Sequence, residues 1–395
     1  VKSGVGRALK TGASAAKIAL SHNENVTCNF EGGRLKDSGG RESVSFEIEV
    51  VRNGRKGSAS GNRLEDLDAL IDRAVAFSEI GSVAHFSSYP EPGRPAQVSA
   101  YGARTLSLSR ERMIDACQEM ADMLKSHDPD LFVTCSAKRS ESERLVVTSG
   151  GVCHPRRVTG WSLGTSVQRT RGTDMLFAGD GRGWCEWNDM FDPRAIAETV
   201  LEDLRAAEKM SKPPEGKTRA FIPANRLMMY LWPLVMGING RNVAKGDSPL
   251  VGKRGQKILA PVFTVVDNPH LAMTSGAAEV DDDGIPTRRQ TLVDNGVLQR
   301  FLYDLDSAGL AKTEPTGNDG CSPYWMSIRP GRLSSEEILG GIADGLYVKD
   351  LIGYGLSNLI NGDFSCNVGL GFRIEKGELV GRVKDTMISG NVYEL

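Results

Sequence analysis

The sequence has few residues placed as compact metal or redox sites require. Its seven cysteines lie at positions 28, 117, 135, 153, 185, 321 and 366, and no two are separated by only two to four residues. This spacing excludes a zinc ribbon and a thioredoxin-type motif, so we interpret the cysteines as buried or incidental thiols in a reducing compartment. The five histidines, at positions 22, 85, 127, 154 and 270, are too far apart for two to share a helical turn.

The sequence also lacks a long apolar run and an excess of positive charge. Its longest apolar run, residues 227–238, is interrupted by Pro233 and Gly237 and is shorter than the roughly 20 residues of a membrane span. Residues 1–20 contain no continuous apolar stretch, so no secretory signal is visible and we expect a cytoplasmic protein. The 48 Lys and Arg residues against 50 Asp and Glu give a net charge of −2. We therefore expect neither membrane association nor direct nucleic-acid binding.

The apolar pattern indicates an α+β protein. Apolar residues at intervals of three and four predict helices that begin near Asn62, Ser109 and Asp192, and a capping box predicts a shorter helix after Ser334. Alternating segments joined by a two-residue turn predict hairpins at 53–54, 295–296 and 376–377, because glycine accepts the positive φ that such turns need. No internal repeat is visible.

Two prolines in the segment 211–217 mark the clearest domain boundary, because a charged helix ends there and a strand-like segment follows. We expect a mixed N-terminal α+β domain over residues 1–212, with a subdivision near 88–96. A β-rich C-terminal domain should follow over residues 217–395.

Several motifs occur in a definite order along the chain. Residues 53–60 read NGRKGSAS, 246–250 read GDSPL, 265–269 read VVDNP, 283–289 read DGIPTRR, 294–298 read DNGVL and 361–365 read NGDFS. Each could be an ordinary turn, but their order over some three hundred residues resembles the TldD/PmbA family, once described as modulators of DNA gyrase. The resemblance implies that family's fold. Its members continue past the segment 390–395, so we expect the C-terminal domain to be shortened there.

The zinc motif of the family's peptidase subunit has no counterpart in this sequence. That subunit carries His-Glu-x-x-x-His on a helix, where two imidazoles hold a zinc ion and the glutamate activates water. At the corresponding place residues 231–240 read LWPLVMGING, without histidine or carboxylate. The chain therefore resembles the sister subunit, PmbA or TldE, and we expect no catalytic residue, metal ligand or cofactor in it. Zinc would be supplied by a partner subunit.

Four residues are candidates for substrate binding. Arg288 and Arg289 follow a turn, and on a strand they would point to opposite faces, so that Arg289 could hold a peptide carboxylate or carbonyl by forked hydrogen bonds; surface ion pairs are the alternative interpretation. Thr316 and Asn318 belong to the motif TGN, and Trp325 stands where family members are expected to carry a polar residue, typically Asn. The acidic run 281–283 is interpreted as a hairpin turn, since it lacks the downstream glutamate of a calcium loop.

The resemblance implies a subunit of a TldD/TldE-type metallopeptidase complex acting on unfolded or linear peptides, including precursor peptides of antibiotics and labile antitoxins. Its partner would be a zinc-bearing TldD-like paralogue or a second copy of itself. The isolated chain is expected to have no peptidase activity. The alternative is a non-catalytic homodimeric binding or regulatory protein of the gyrase-modulator type. An independent enzyme with a different site is the third hypothesis, which the scattered histidines disfavour.

Overall fold

The computed structural model describes residues 1–356 and 358–394, and its N-terminal half is built around one antiparallel sheet. The strands of this sheet are β1 (Ala15–Glu31), β2 (Arg34–Arg52), β3 (Arg55–Gly61), β4 (Phe132–Thr148), β5 (Cys153–Arg171) and β6 (Asp174–Trp184). Their order across the sheet is β3-β2-β1-β4-β5-β6. The first meander therefore meets the second through the antiparallel pair β1 and β4.

The helices of this half divide it into two units of the same design. They are α1 (Lys2–Lys10), α2 (Leu67–Phe77), α3 (Arg110–His127) and α4 (Pro193–Ala206). Each unit runs helix, three strands, helix, with one apolar core between β1–β3 and α1–α2 and another between β4–β6 and α3–α4. The sequence hides this duplication, because a strand requires apolar residues at alternate positions but does not fix which ones.

The C-terminal half contains two smaller sheets. The first consists of β8 (Val265–Asp267), β9 (Gln290–Asp294), β10 (Val297–Leu298) and β11 (Met326–Ile328). The second consists of β7 (Arg219–Phe221), β12 (Asp344–Ile352), β13 (Asp363–Glu375), β14 (Glu378–Arg382) and β15 (Met387–Asn391). The first has the order β10-β9-β8-β11; the second has the order β14-β13-β12-β7, with β15 also paired to β13. Mixed helices and sheets confirm the expected α+β class.

Short helices that the sequence analysis did not predict also lie in the C-terminal half. The helices of this half are α5 (Leu227–Tyr230), α6 (Trp232–Ile238), α7 (Gly240–Lys245), α8 (Leu305–Ala311) and α9 (Ser335–Gly340), of which only α9 was predicted. Tyr230 of α5 and Leu234 and Ile238 of α6 belong to the apolar core of this half. No helix in residues 1–356 and 358–394 combines the length and the apolar character that a bilayer crossing requires.

Local sequence signals located most predicted helix starts and turns correctly. The side chains of Ser109 and Asp192 accept hydrogen bonds from the first turns of α3 and α4, and Ser334 forms a complete capping box with Glu337. The helix predicted after Asn62 is present as α2, but the cap predicted at Asn62 is wrong, since α2 begins only at Leu67 after a short 3-10 turn and has no side-chain cap. All three predicted hairpin turns are confirmed, with both central residues at φ between 48° and 84°.

Ion pairs join the two halves of the molecule. Lys17 on β1 contacts Asp283 at 2.6 Å, and Arg144 on β4 donates to both oxygens of Asp282 at 2.7 and 3.1 Å. The acidic run 281–283 forms a tight turn in which the Asp281 amide donates to the Ile285 carbonyl at 2.9 Å. This turn therefore holds the C-terminal half against the N-terminal sheet.

Candidate functional site

Two of the four predicted substrate-binding residues, Asn318 and Trp325, donate to one buried carboxylate, that of Asp267 at the end of β8. Thr316 is joined to Asn318 through Gln290. Asn318 is fully buried, and its Nδ2 donates to Asp267 Oδ2 at 2.8 Å. The other Asp267 oxygen accepts the backbone amides of Tyr324 and Trp325 at 2.8 and 2.9 Å. Burial raises the pKa of Asp267 above its ordinary value, although these hydrogen bonds act in the opposite direction.

Gln290 connects Asn318 with Thr316. Its Nε2 donates to Asn318 Oδ1 at 2.8 Å and to the Thr316 carbonyl at 3.2 Å. The Thr316 hydroxyl accepts from the Tyr303 amide at 2.8 Å and donates to the Tyr303 carbonyl at 3.1 Å. Thr316 and Asn318 therefore direct their polar groups toward the protein and act as a scaffold for the loops that carry Trp325.

Trp325 is the predicted residue that faces a cavity. Its indole packs edge-on against Trp184 of β6, with ring centroids 6.1 Å apart and an angle of 89° between the planes. The two rings border a cavity of about 280 Å³, together with Trp161, Lys138 and Ser275. An aromatic wall with a few polar groups suits an extended peptide with an apolar side chain.

Arg289 does not join this group. β9 begins at Gln290, so Arg288 and Arg289 precede the strand, and both are exposed instead of lying on opposite faces of it. Arg288 donates to the Pro315 carbonyl at 3.1 Å, whereas Arg289 has no polar side-chain contact within residues 1–356 and 358–394. The Arg289 guanidinium is thus free to meet a ligand or a partner chain.

Arg288 lies close to two further arginines, Arg254 and Arg300, that the sequence analysis missed. Arg300 Nη1 donates to Gln290 Oε1 at 3.0 Å, and Arg254 donates to the Gln299 carbonyl at 2.9 Å. Burial, followed by the proximity of Arg288 and Arg254, lowers the pKa of Arg300. We call Arg254, Arg288 and Arg300 the arginine cluster; in the described part of the chain none of them has a carboxylate within ion-pair distance.

The sequence carried little signal for the arginine cluster, because its members are spread over some fifty positions and the loops between them bring them together. Asp267 and Gln290 were easier to notice. An aspartate at the end of an apolar strand and a glutamine at the start of one are both buried polar groups that require partners.

The zinc site that the family implies does not fit residues 231–240. Helix α6 presents no imidazole, thiolate or carboxylate, and a Cβ atom at Gly237 would lie 2.4 Å from the hydroxyl of Tyr393. That hydroxyl donates to the Pro233 carbonyl at 2.9 Å. Within the described residues no group of three or more His, Cys, Asp or Glu side chains is arranged to hold a metal ion.

Comparison with known protein families identifies the relatives of this chain. Residues 16–78 match the model of the PmbA/TldA metallopeptidase domain 1, residues 104–208 the central domain and residues 199–395 the C-terminal domain. The chain belongs to the TldD/PmbA family. These matches describe a three-domain architecture, in which the first two domains correspond to the two units of the N-terminal sheet.

Individual relatives are distant in sequence, and several of them align over most of their length. A metalloprotease of Methanothermobacter thermautotrophicus is 27% identical over 393 residues, which cover 96% of this chain and 86% of the relative. Metalloprotease PmbA of Escherichia coli O157:H7 is 23% identical, with 96% and 85% covered. A TldD homologue of Haemophilus influenzae is 25% identical over 54% of this chain and 49% of its own length.

Solved structures share the fold of the whole chain. TldE from Thermococcus kodakarensis superposes with a TM-score of 0.90 at 23% identity, covering 100% of this chain and 92% of that one. A Thermotoga maritima protein described as a modulator of a DNA gyrase gives a TM-score of 0.91 at 23% identity with the same coverage. At this identity the likeness establishes the fold alone.

Proposed function

We propose that the chain is the metal-free subunit of a TldD/TldE-type metallopeptidase complex that acts on unfolded or linear peptides. Zinc would come from a TldD-like paralogue, with which this chain would form a heterodimer. Membership of the TldD/PmbA family and relatives named metalloproteases support the peptidase assignment. No step of the hydrolysis is assigned to this chain's own residues.

The observation that carries the proposal is the packing of α6. In the peptidase subunit this segment carries the metal ligands, whereas here Gly237 contacts Tyr393 and Leu250 so closely that a larger side chain would collide. Hydrolysis of a peptide needs a polarised carbonyl and an activated water. Because the segment supplies neither, the chain's contribution is assigned to binding and closing the substrate cleft.

Strand addition is the binding mode that we propose for the substrate. β11 follows Trp325 directly, lies at the edge of its sheet and pairs only with β8 within the described residues. An extended peptide could add to this edge through main-chain hydrogen bonds and place one side chain against Trp325. This mode demands little of the peptide sequence, which suits unfolded substrates.

Reconstitution tests the proposed subunit role. A linear peptide is incubated with this chain, with the zinc-bearing paralogue, and with both, each with and without a chelator. We expect rapid cleavage only by the mixture, and only without the chelator. Chelator-insensitive cleavage by this chain alone would overturn the assignment. Full activity of the paralogue alone, with this chain forming a homodimer, would favour the regulatory alternative.

Arg289→Ala tests the contact with substrate in the same assay. If the exposed guanidinium binds a peptide carboxylate or carbonyl, the variant should lower turnover by the reconstituted complex by roughly tenfold, since a charge-assisted hydrogen bond is lost. Assembly, followed by size-exclusion chromatography, should be unchanged. Arg332→Ala is the matched control, because Arg332 is also exposed and has no polar side-chain partner among the described residues. Equal turnover by both variants would contradict the role of Arg289.

A further inference from the structure

A second cavity lies where the large N-terminal sheet meets the C-terminal half. It has a volume of about 440 Å³ and is bordered by Asp180 of β6, Asp203 of α4, the turn containing Arg226, and Lys349 and Asp350 of β12. This volume is within the range of small-molecule sites. None of the substrate-binding residues proposed above borders it.

Two residues that border this cavity each carry a buried polar atom that has no hydrogen-bond partner among the described residues, one an acceptor and the other a donor. Asp203 Oδ1 accepts a hydrogen bond from the Lys349 ammonium, but Asp203 Oδ2 has no hydrogen-bond partner among the described residues. The Nε of Arg226 is likewise buried without one. An unmet buried donor or acceptor costs about 1–3 kcal/mol, so such atoms in a folded protein require an explanation. A bound molecule that both accepts and donates would satisfy both atoms.

The cavity is also bordered by charged groups of both signs that lack ion-pair partners among the described residues. Arg226 has no carboxylate within ion-pair distance, and neither Asp180 nor Asp350 has a cation within that distance, in residues 1–356 and 358–394. Asp180 lies close enough to Asp203 to raise its pKa, in addition to the larger effect of burial. Lys349 pairs with Asp203, so the carboxylates of Asp180 and Asp350 are the ones without a cation in the described part of the chain, and neighbouring carboxylates favour a further cation between them.

Apolar side chains also border the cavity. Val167, Phe177 and Leu370 border the same space as the charged groups. A ligand that fills it therefore needs one anionic group, one cationic group and an apolar side chain of moderate size.

We propose that this cavity binds a small zwitterion, a free α-amino acid or a short peptide with an apolar N-terminal side chain. Its carboxylate would pair with Arg226, and its ammonium group would lie among the carboxylates of Asp180, Asp203 and Asp350. The inference goes beyond the proposed peptidase role, since it requires neither zinc nor a partner subunit.

Calorimetric titration of the full chain with leucine and with leucylglycine tests the proposal. We expect dissociation constants of about 1 mM or lower for at least one of them. N-acetylleucine lacks the ammonium group and leucinamide lacks the carboxylate, so each should bind roughly tenfold or more weakly than leucine. No binding of either zwitterion up to about 10 mM, or equal binding of the two analogues and leucine, would overturn the proposal.

Two variants test which residue binds each end of the ligand. Arg226→Gln should weaken leucine binding by roughly tenfold but leave leucinamide binding unchanged, because leucinamide has already lost the carboxylate. Asp180→Asn should weaken leucine binding but not that of N-acetylleucine. Arg219→Gln, which removes an exposed arginine on β7 away from the cavity, should change neither. Thermal melts verify folding, and uniform losses for all ligands in both variants would contradict the assignment of the ends.

Discussion

At the scale of single residues, Asp281 has two carboxylate oxygens in different surroundings. Oδ1 accepts the backbone amides of Asp283 and Ile285 at 2.9 and 2.8 Å, whereas Oδ2 is buried without a partner among the described residues. Burial, followed by the charges of Asp283 and Asp319, raises its pKa to about 8. Near neutral pH the protonated form is therefore stabilised by folding.

This shift predicts a pH dependence of stability. Because the folded state holds a proton that the unfolded chain releases near pH 4, the free energy of unfolding should fall as the pH rises from about 4 to about 8 and level off above that. Asp281→Asn keeps an oxygen acceptor for the two amides and cannot ionise. It should raise the free energy of unfolding at about pH 9 by roughly 1–3 kcal/mol and reduce its slope between about pH 5 and 8.

Urea unfolding at several pH values measures this effect. Asp189→Asn is the matched control, because Asp189 is exposed and has no polar side-chain contact among the described residues. An unchanged pH slope in Asp281→Asn would show that the Asp281 carboxyl is not responsible for it.

At the scale of elements, α6 depends on close contacts at Gly237. A Cβ atom there would lie 2.4 Å from the Tyr393 hydroxyl and 2.9 Å from Leu250. Gly237→Ala should therefore lower the free energy of unfolding by roughly 1–3 kcal/mol, as expected when a packed core must accept an extra methyl group. The measurement is urea unfolding followed by tryptophan fluorescence.

Gly6→Ala is the control for the same chemical change. Gly6 lies inside α1 and a Cβ atom there would meet nothing within 4 Å, so alanine should stabilise the helix by up to about 1 kcal/mol. If Gly237→Ala changed the free energy of unfolding as Gly6→Ala does, the close contacts of Gly237 with Tyr393 and Leu250 would not limit the stability of the protein.

The elements differ in how well the sequence predicted them. Ser109, Asp192 and Ser334 cap helices where expected because a side-chain oxygen satisfies amides only two or three residues away, which is a local interaction. Asn62 looked equivalent but caps nothing, since the chain first makes a 3-10 turn. Helix α6 escaped prediction because the packing of its apolar residues, and not their local pattern, makes the segment helical.

At the scale of the whole molecule, Lys17 and Asp283 join the N-terminal sheet to the C-terminal half. Their side chains are only 19% and 17% exposed, and the ammonium is also 3.9 Å from Glu49. Lys17→Met would leave Asp283 largely buried without its cation. It should lower the free energy of unfolding by roughly 2–3 kcal/mol, less than for a fully buried pair because some solvent reaches the site.

Lys36→Met is the control, because it removes an exposed pair with Glu31 at 60% and 46% side-chain exposure. That variant should unfold in urea within error of the wild-type chain. If the two variants were equally stable, the two halves would be held together by apolar contacts without help from this ion pair.

The sequence by itself determined the local features, the class of fold and the family. Caps, hairpin glycines and apolar periodicity act over a few residues, and the ordered motifs from residue 53 to residue 365 carried the resemblance. Only the tertiary structure decided which of the candidate site residues lie close together. Asn318 and the Trp325 amide share the Asp267 carboxylate, Thr316 is joined to Asn318 through Gln290, Arg289 stays exposed, and Arg226 borders the same cavity as Asp180. The physical reason is that burial and charge pairing depend on contacts between residues tens to hundreds of positions apart, which no local pattern encodes.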